Sequence, residues 1–370
     1  MSLSSAPVIR YVNVSMNNPQ GVAGTTATYD VQYDRNIVTN CQDNFMSVVN
    51  MSLPLQNLPL FIFPVVPNQS NPNLSTLIVG IAQNATQSNI QNGISAPVVN
   101  YPQNLIWVPQ QLGLPLPTQD NPVIQNISPY YYCFSYQWFV DLVNTAIAAS
   151  WAAANTAQST TLGIVPVFSY NANTHTFSWT LDTTFTDNAT GSPPGWTVFW
   201  NQAFDSLVNN FVTIENTTDQ FLLENVLSRE TNKSGTTITI PQDYPTTDNF
   251  NSAERIVVLS TSIPVVPDFF ASTYTQQQGG GQGLSNFERV LVDVSLDFDN
   301  NVGAQRSTFV YNPTLYQYTD LQTSLPLTRI SLKCQWVDSL GNFYDIPLVR
   351  GDVATVKLGF FNKGLMLQNR

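Results

Sequence analysis

Arg329-Ile-Ser-Leu-Lys-Cys-Gln-Trp-Val337 alternates strictly: Ile330, Leu332, Cys334 and Trp336 share one face, and Arg329, Ser331, Lys333 and Gln335 the other. A strand sends successive side chains to opposite sides, so a period of two describes a strand with one dry face and one wet face. The pattern recurs on either side. In Arg289–Phe298 the residues Val290, Val292, Val294, Leu296 and Phe298 fall together, against Arg289, Asp293, Ser295 and Asp297. Val353–Phe361 repeats it with Val356, Leu358 and Phe360, and Ile256–Leu259 and Thr236–Ile240 are shorter candidates. Turn-forming residues separate the runs: Ser339-Leu-Gly-Asn342 precedes Phe343–Leu348, and Asn171-Ala-Asn-Thr174 lies between Val165–Tyr170 and His175–Leu181. Most of the 24 prolines also sit between runs, where no ladder hydrogen bond is lost. Half-buried strands of this kind predict a mainly β chain built from antiparallel sheets.

Two helices are predicted in the middle third. Tyr136 to Asn155 carries Phe139, Val140, Val143, Ile147 and Trp151 at helical spacing, and Trp200 to Phe211 carries Phe204, Leu207, Val208 and Phe211. Residues 67–125 are rich in Asn, Gln, Ser and Pro and read as long loops. Gln276–Gly283 (QQQGGGQG) reads as a flexible excursion between strands.

Composition narrows the function. Of the 370 residues only 10% are charged, against about 25% in an average soluble protein. Polarity is carried instead by 38 Asn and 27 Gln. A free monomer keeps a surface of roughly 25–35% charged residues. A chain this poor in charge and rich in β edges is expected to hide surface against other subunits. The net charge of -11, with 13 Lys and Arg, offers no cluster to neutralise phosphates or an anionic membrane. No apolar run approaches the ~18–20 residues of a membrane span. The N-terminal Met-Ser-Leu-Ser-Ser-Ala lacks the pattern of a secretory signal. Cys41, Cys133 and Cys334 are widely spaced and read as buried reduced thiols of a protein made in the cytosol, where the sequons at Asn84, Asn126 and Asn216 would carry no glycan.

No catalytic, metal-binding or cofactor-binding residue is selected. The lone His175 reads as a packed residue at a hairpin start, with no nucleophile motif beside it. Asp297-Phe-Asp-Asn-Asn-Val-Gly303 resembles the opening of a calcium loop, but its glycine comes one position late and no glutamate closes it. Gly279-Gly-Gly-Gln-Gly283 lacks the Lys-Ser/Thr of a phosphate loop. Asp141, Asp205, Glu215 and Glu224 could supply a carboxylate pair for glycoside hydrolysis only through spatial pairing, and each is explained as polar surface.

Four sets of segments carry a family resemblance. They are Asp34–Val49 followed by Ser52–Ile62; Tyr130-Tyr-Tyr-Cys-Phe-Ser-Tyr-Gln-Trp-Phe-Val-Asp-Leu-Val-Asn144; Pro241–Asn251 leading into Ser262–Asp268; and a last set. That set runs Arg306-Ser-Thr-Phe-Val-Tyr-Asn-Pro313, Tyr318–Leu321, Pro326–Ile330, Cys334–Asn342, Pro347-Leu348 and Val356–Phe360. In this order they resemble the penton, or minor capsid, proteins of virophages and polinton-like viruses such as Sputnik. The resemblance implies an antiparallel β-sandwich of jelly-roll type, with an inserted or appended second region holding the two helices. It places the jelly roll in residues 1–100 and 240–370 and the insertion in 101–240. It further implies a homopentamer at the icosahedral vertices of a virion, assembled in the host cytoplasm beside trimers of a double-jelly-roll major capsid protein. Contact of the insertion with a host or carrier-virus surface would follow by analogy. A non-enzymatic β-sandwich binding module or adhesin is the alternative reading, and a glycan-cleaving enzyme ranks third.

Overall fold

The computed structural model describes residues 9–22, 24–66, 71–83, 99–110, 129–158, 163–182, 185, 196–217, 220–223, 233–234, 236–250, 252–266, 268–270, 286–296, 308–338 and 341–366. Its strands pair antiparallel throughout, in two compact units: residues 1–58 with 252–370, and residues 59–251.

In chain order the first unit opens with β1 (Arg10–Asn17), β2 (Thr28–Gln32) and β3 (Asn44–Pro54). The second unit then supplies β4 (Leu74–Gln83), β5 (Val99–Ile106), helix α1 (Tyr136–Gln158), β6 (Val167–Asn171), β7 (Thr176–Asp182) and β8 (Trp196–Asn201). The one-turn helix α2 (Gln202–Asp205), β9 (Thr213–Thr217), β10 (Gln220–Leu223) and β11 (Thr237–Pro241) follow. The chain returns to the first unit with β12 (Arg255–Leu259), β13 (Val290–Ser295), β14 (Thr308–Tyr311), β15 (Arg329–Val337) and β16 (Val353–Asn362).

Eight strands of the first unit form two sheets, ordered β1-β16-β3-β14 and β13-β12-β15-β2. Counted along the unit, these are strands 1-8-3-6 and 5-4-7-2, the interleaved Greek keys of a jelly roll. The alternation read from sequence sets the inner faces. Ile330, Leu332, Cys334 and Trp336 of β15 are buried, as are Ala354, Val356, Leu358 and Phe360 of β16, with Val14, Met16, Met46, Val48, Met51, Ile256 and Val258 from neighbouring strands. Between β3 and β16 the register slips at Lys357/Leu358, leaving Val49 as an extra residue; this bulge explains the unbroken buried run Met46–Val49.

In the second unit, β9-β10-β8-β4-β5 make one sheet, and β11-β7-β6 with Lys233–Ser234 another. Helix α1 buries Phe139, Val143, Ile147, Ser150 and Ala154 along one stripe. Ser150 ties the helix to the first of these sheets: its Oγ accepts from Ile81 N (2.9 Å) and donates to Tyr101 O (2.5 Å). Asn144 does the same for β6, bonding both Phe168 N (2.8 Å) and Phe168 O (2.9 Å). Gly80 lets β5 and Phe199 close in, since a Cβ there would lie 2.6 Å from Tyr101 O.

Three expectations change. The loops expected over 67–125 contain β4 and β5, whose Leu74–Gln83 run is apolar enough to be covered on both faces. The helix expected over Trp200–Phe211 is a strand through Asn201 followed by one helical turn. Trp196–Trp200 is buried at every position and pairs on both sides, and Asn210, at φ 70, turns the chain away afterwards. The described residues within 59–100 and 240–250 belong to the second unit, where β4 pairs with β8 and β11 pairs with β7.

Candidate assembly surface

The residues weighed for chemistry occupy separate places. His175 sits in the β6–β7 turn at φ 55, with Nδ1 3.1 Å from Tyr170 Oη. Asp141 lies on the exposed side of α1 and accepts from Gln137 Nε2 at 3.0 Å. Asp205, on α2, accepts from Trp200 Nε1 at 2.9 Å; burial raises its pKa above the usual carboxylate value, and that hydrogen bond opposes the shift. Glu215 is carried by β9. Glu224, Asp297–Gly303 and Gln276–Gly283 lie outside the described residues. Among the described residues no three His, Cys, Asp or Glu side chains gather as a metal site. The three cysteines are buried and unpaired with one another, and burial pushes the Cys133 and Cys334 thiols up to about 12.

The surface of the first unit is more informative. On the outer face of the β13-β12-β15-β2 sheet three cations meet carboxylates. Arg329 clamps Asp30 (Nε to Oδ1, 2.7 Å), Arg255 reaches Asp293 (2.6 Å) and Lys333 reaches Asp345 (2.8 Å). The Arg329 hydrogen bond holds the Asp30 carboxyl below its ordinary pKa.

The outer face of the β1-β16-β3-β14 sheet is built otherwise. Register sets Tyr11 opposite Gly359 and Phe361 opposite Phe45, all on the side away from Leu358 and Phe360. Phe361 is the hub: Tyr318 (5.2 Å between ring centroids), Tyr316 (6.0 Å) and Tyr11 (6.3 Å) surround it, and Tyr318 also meets Phe45 at 5.9 Å. Gly359 leaves room for the Phe361 ring, since a Cβ there would come within 2.7 Å of it. Lys357 lays its ammonium 4.7 Å from the Tyr11 centroid, and Lys363 sits over Phe45 while pairing with Asp320. Sequence reasoning assigned no surface residues. The available signal was that Tyr11 alternates out of phase with Val12, Val14 and Met16, whose side chains turn inward.

The sequence matches the family described as Sputnik minor capsid protein V18/19 over residues 9–363. The chain belongs to this minor capsid family. Two Sputnik virophage proteins are similar to it. One, described as uncharacterized protein V18, is 31% identical over 137 residues, 35% of this chain and 72% of V18. Structural protein V19 is 27% identical over 128 residues, so the match spans 57% of V19. A chain of the 3.5 Å cryo-EM structure of the Sputnik virophage superposes with a TM-score of 0.75 at 24% identity, covering 97% of this chain and 99% of that one. The crystal structure of the mavirus penton protein gives 0.61 at 16% identity over 96% and 99%. At those identities the superpositions establish the fold. Family membership establishes the class: a structural minor capsid protein, a component of a virion. The jelly-roll fold expected from the resemblance is the fold observed.

Proposed function

We propose that this minor capsid protein is the vertex capsomer of an icosahedral shell: five copies in a closed head-to-tail ring, each presenting two different patches. The observation that carries the reading is the two-sheet jelly roll of the first unit, superposable along nearly its whole chain on a component of the Sputnik virion. The first unit is the shell domain and residues 59–251 are the insertion. Its neighbours are trimers of a double-jelly-roll major capsid protein, and the insertion offers a surface to a host or carrier virus. The role is non-catalytic. Low charge supports it, because few ions need to be stripped of water when seams close.

Multi-angle light scattering on the purified chain across a concentration series tests the ring. A species of five 41.0 kDa chains supports it. A single chain at every concentration counts against it and favours the binding-module alternative.

A further inference from the structure

The two outer faces of the jelly roll differ in one respect that points to a partner. Arg329, Arg255 and Lys333 on one face are each neutralised within the chain. Lys357 on the other face meets no carboxylate among the described residues; its ammonium rests on Tyr11, which is 47% exposed. A cation over an aromatic face still accepts a carboxylate, and together they make a short-range anchor for a surface that is apolar with acidic points.

The neighbouring edge adds to this. Among the described strands β1 pairs only with β16, runs eight residues, and after Arg10 reads Tyr-Val-Asn-Val-Ser-Met-Asn, with no charge and no proline. Such features normally protect an edge strand that stays in water. The other described edges of the unit are shorter: β14 has four residues, while β2 and β13 carry Asp30 and Asp293.

We propose that the Tyr11, Phe45, Tyr316, Tyr318 and Phe361 face, with Lys357 and the β1 edge, is the seam against a second copy of this chain. Charge selects that occupant. The chain holds 24 acidic against 13 basic residues, and its described ion pairs use only Asp30, Asp293, Asp320 and Asp345. A second copy therefore brings surplus carboxylates to an ammonium that meets none among the described residues. The proposal rests on the ring reading and adds one of its two patches.

The test compares the solution mass of the full chain with that of Lys357→Glu and of Tyr11→Ser/Tyr318→Ser, with Asp30→Ala/Arg329→Ala as a control on the opposite face. Slow alkylation of Cys334 checks that each variant is folded. If Lys357→Glu fails this check, Lys357→Ser replaces it. The expected result is an assembled wild type and control, and seam variants whose dissociation constant rises at least tenfold. Seam variants as well assembled as the wild type overturn the seam and leave the ring reading standing. A wild type that is a single chain throughout overturns both.

Discussion

The two units reach a dry interior by different means. In the first, the long strands β1, β3, β15 and β16, of eight to eleven residues, stack Val, Leu, Ile, Met and Cys side chains by alternation, and Trp336, stacked 4.1 Å from Tyr344, is its one fully buried tryptophan among the described residues. In the second, β6 to β11 run only four to seven residues, and the core is aromatic. Phe139 alone lies against Phe61, Phe168, Phe177, Phe204 and Phe250, and Trp179 stacks on Trp200 at 6.3 Å. Where a long ladder already fixes register, interchangeable aliphatics suffice. Where strands are short, oriented ring pairs worth about 0.5–1.5 kcal/mol beyond their burial supply the missing definition.

The contrast is broken most forcefully at its hub. Phe139→Ala is expected to cost about 3–5 kcal/mol, since it empties the site where five rings converge. Cys133 in the second unit should become alkylatable while Cys334 in the first stays protected. Simultaneous exposure of both thiols would mean that the units do not unfold separately.

Leu358→Ala is the converse probe. The expected loss is about 3 kcal/mol, within the usual range for a buried leucine, and Cys334 should respond before Cys133. A much smaller loss would show the sandwich repacking around the gap.

Asp352 sharpens the comparison with a polar element of the first unit. Its buried carboxylate accepts from Gln56 Nε2 (2.8 Å), Val349 N (2.8 Å) and Asn57 Nδ2. Asp352→Ala strands those donors and should cost about 1–3 kcal/mol by denaturant titration. An unchanged midpoint would remove Asp352 from the account.

The smallest effect is in acid, and its sign differs between the units. Asp30, held below 3.8 by the Arg329 hydrogen bond, binds protons more readily unfolded, so its contribution is lost as pH falls below 3.8 through its folded value. Asp205, raised by burial, binds its proton more readily folded, so the second unit gains stability as pH falls through the window just above 3.8. Asp205→Asn should abolish that gain in a pH series of thiol protection, and Asp30→Asn should leave it intact.

How much of this was legible in sequence follows the same division. β15, β16 and the turn before Phe343 could be read directly, because each alternates against water and ends in turn chemistry. α1 was legible from its stripe. Trp196–Trp200 was not, since a strand buried on both faces shows no period of two, and Phe204 to Phe211 imitated a helix. β4 and β5 were hidden by the polar residues around them. The aromatic face escaped because Tyr11, Tyr316 and Phe361 lie apart in sequence and meet only through the β1-β16-β3 register.

An icosahedral reconstruction of the virion tests the central claim most directly. The account predicts that the β1-β16-β3-β14 and β13-β12-β15-β2 sandwich of this chain fits five times around each vertex axis. Density for the chain at the shell faces alone, with another protein closing the vertices, would contradict it.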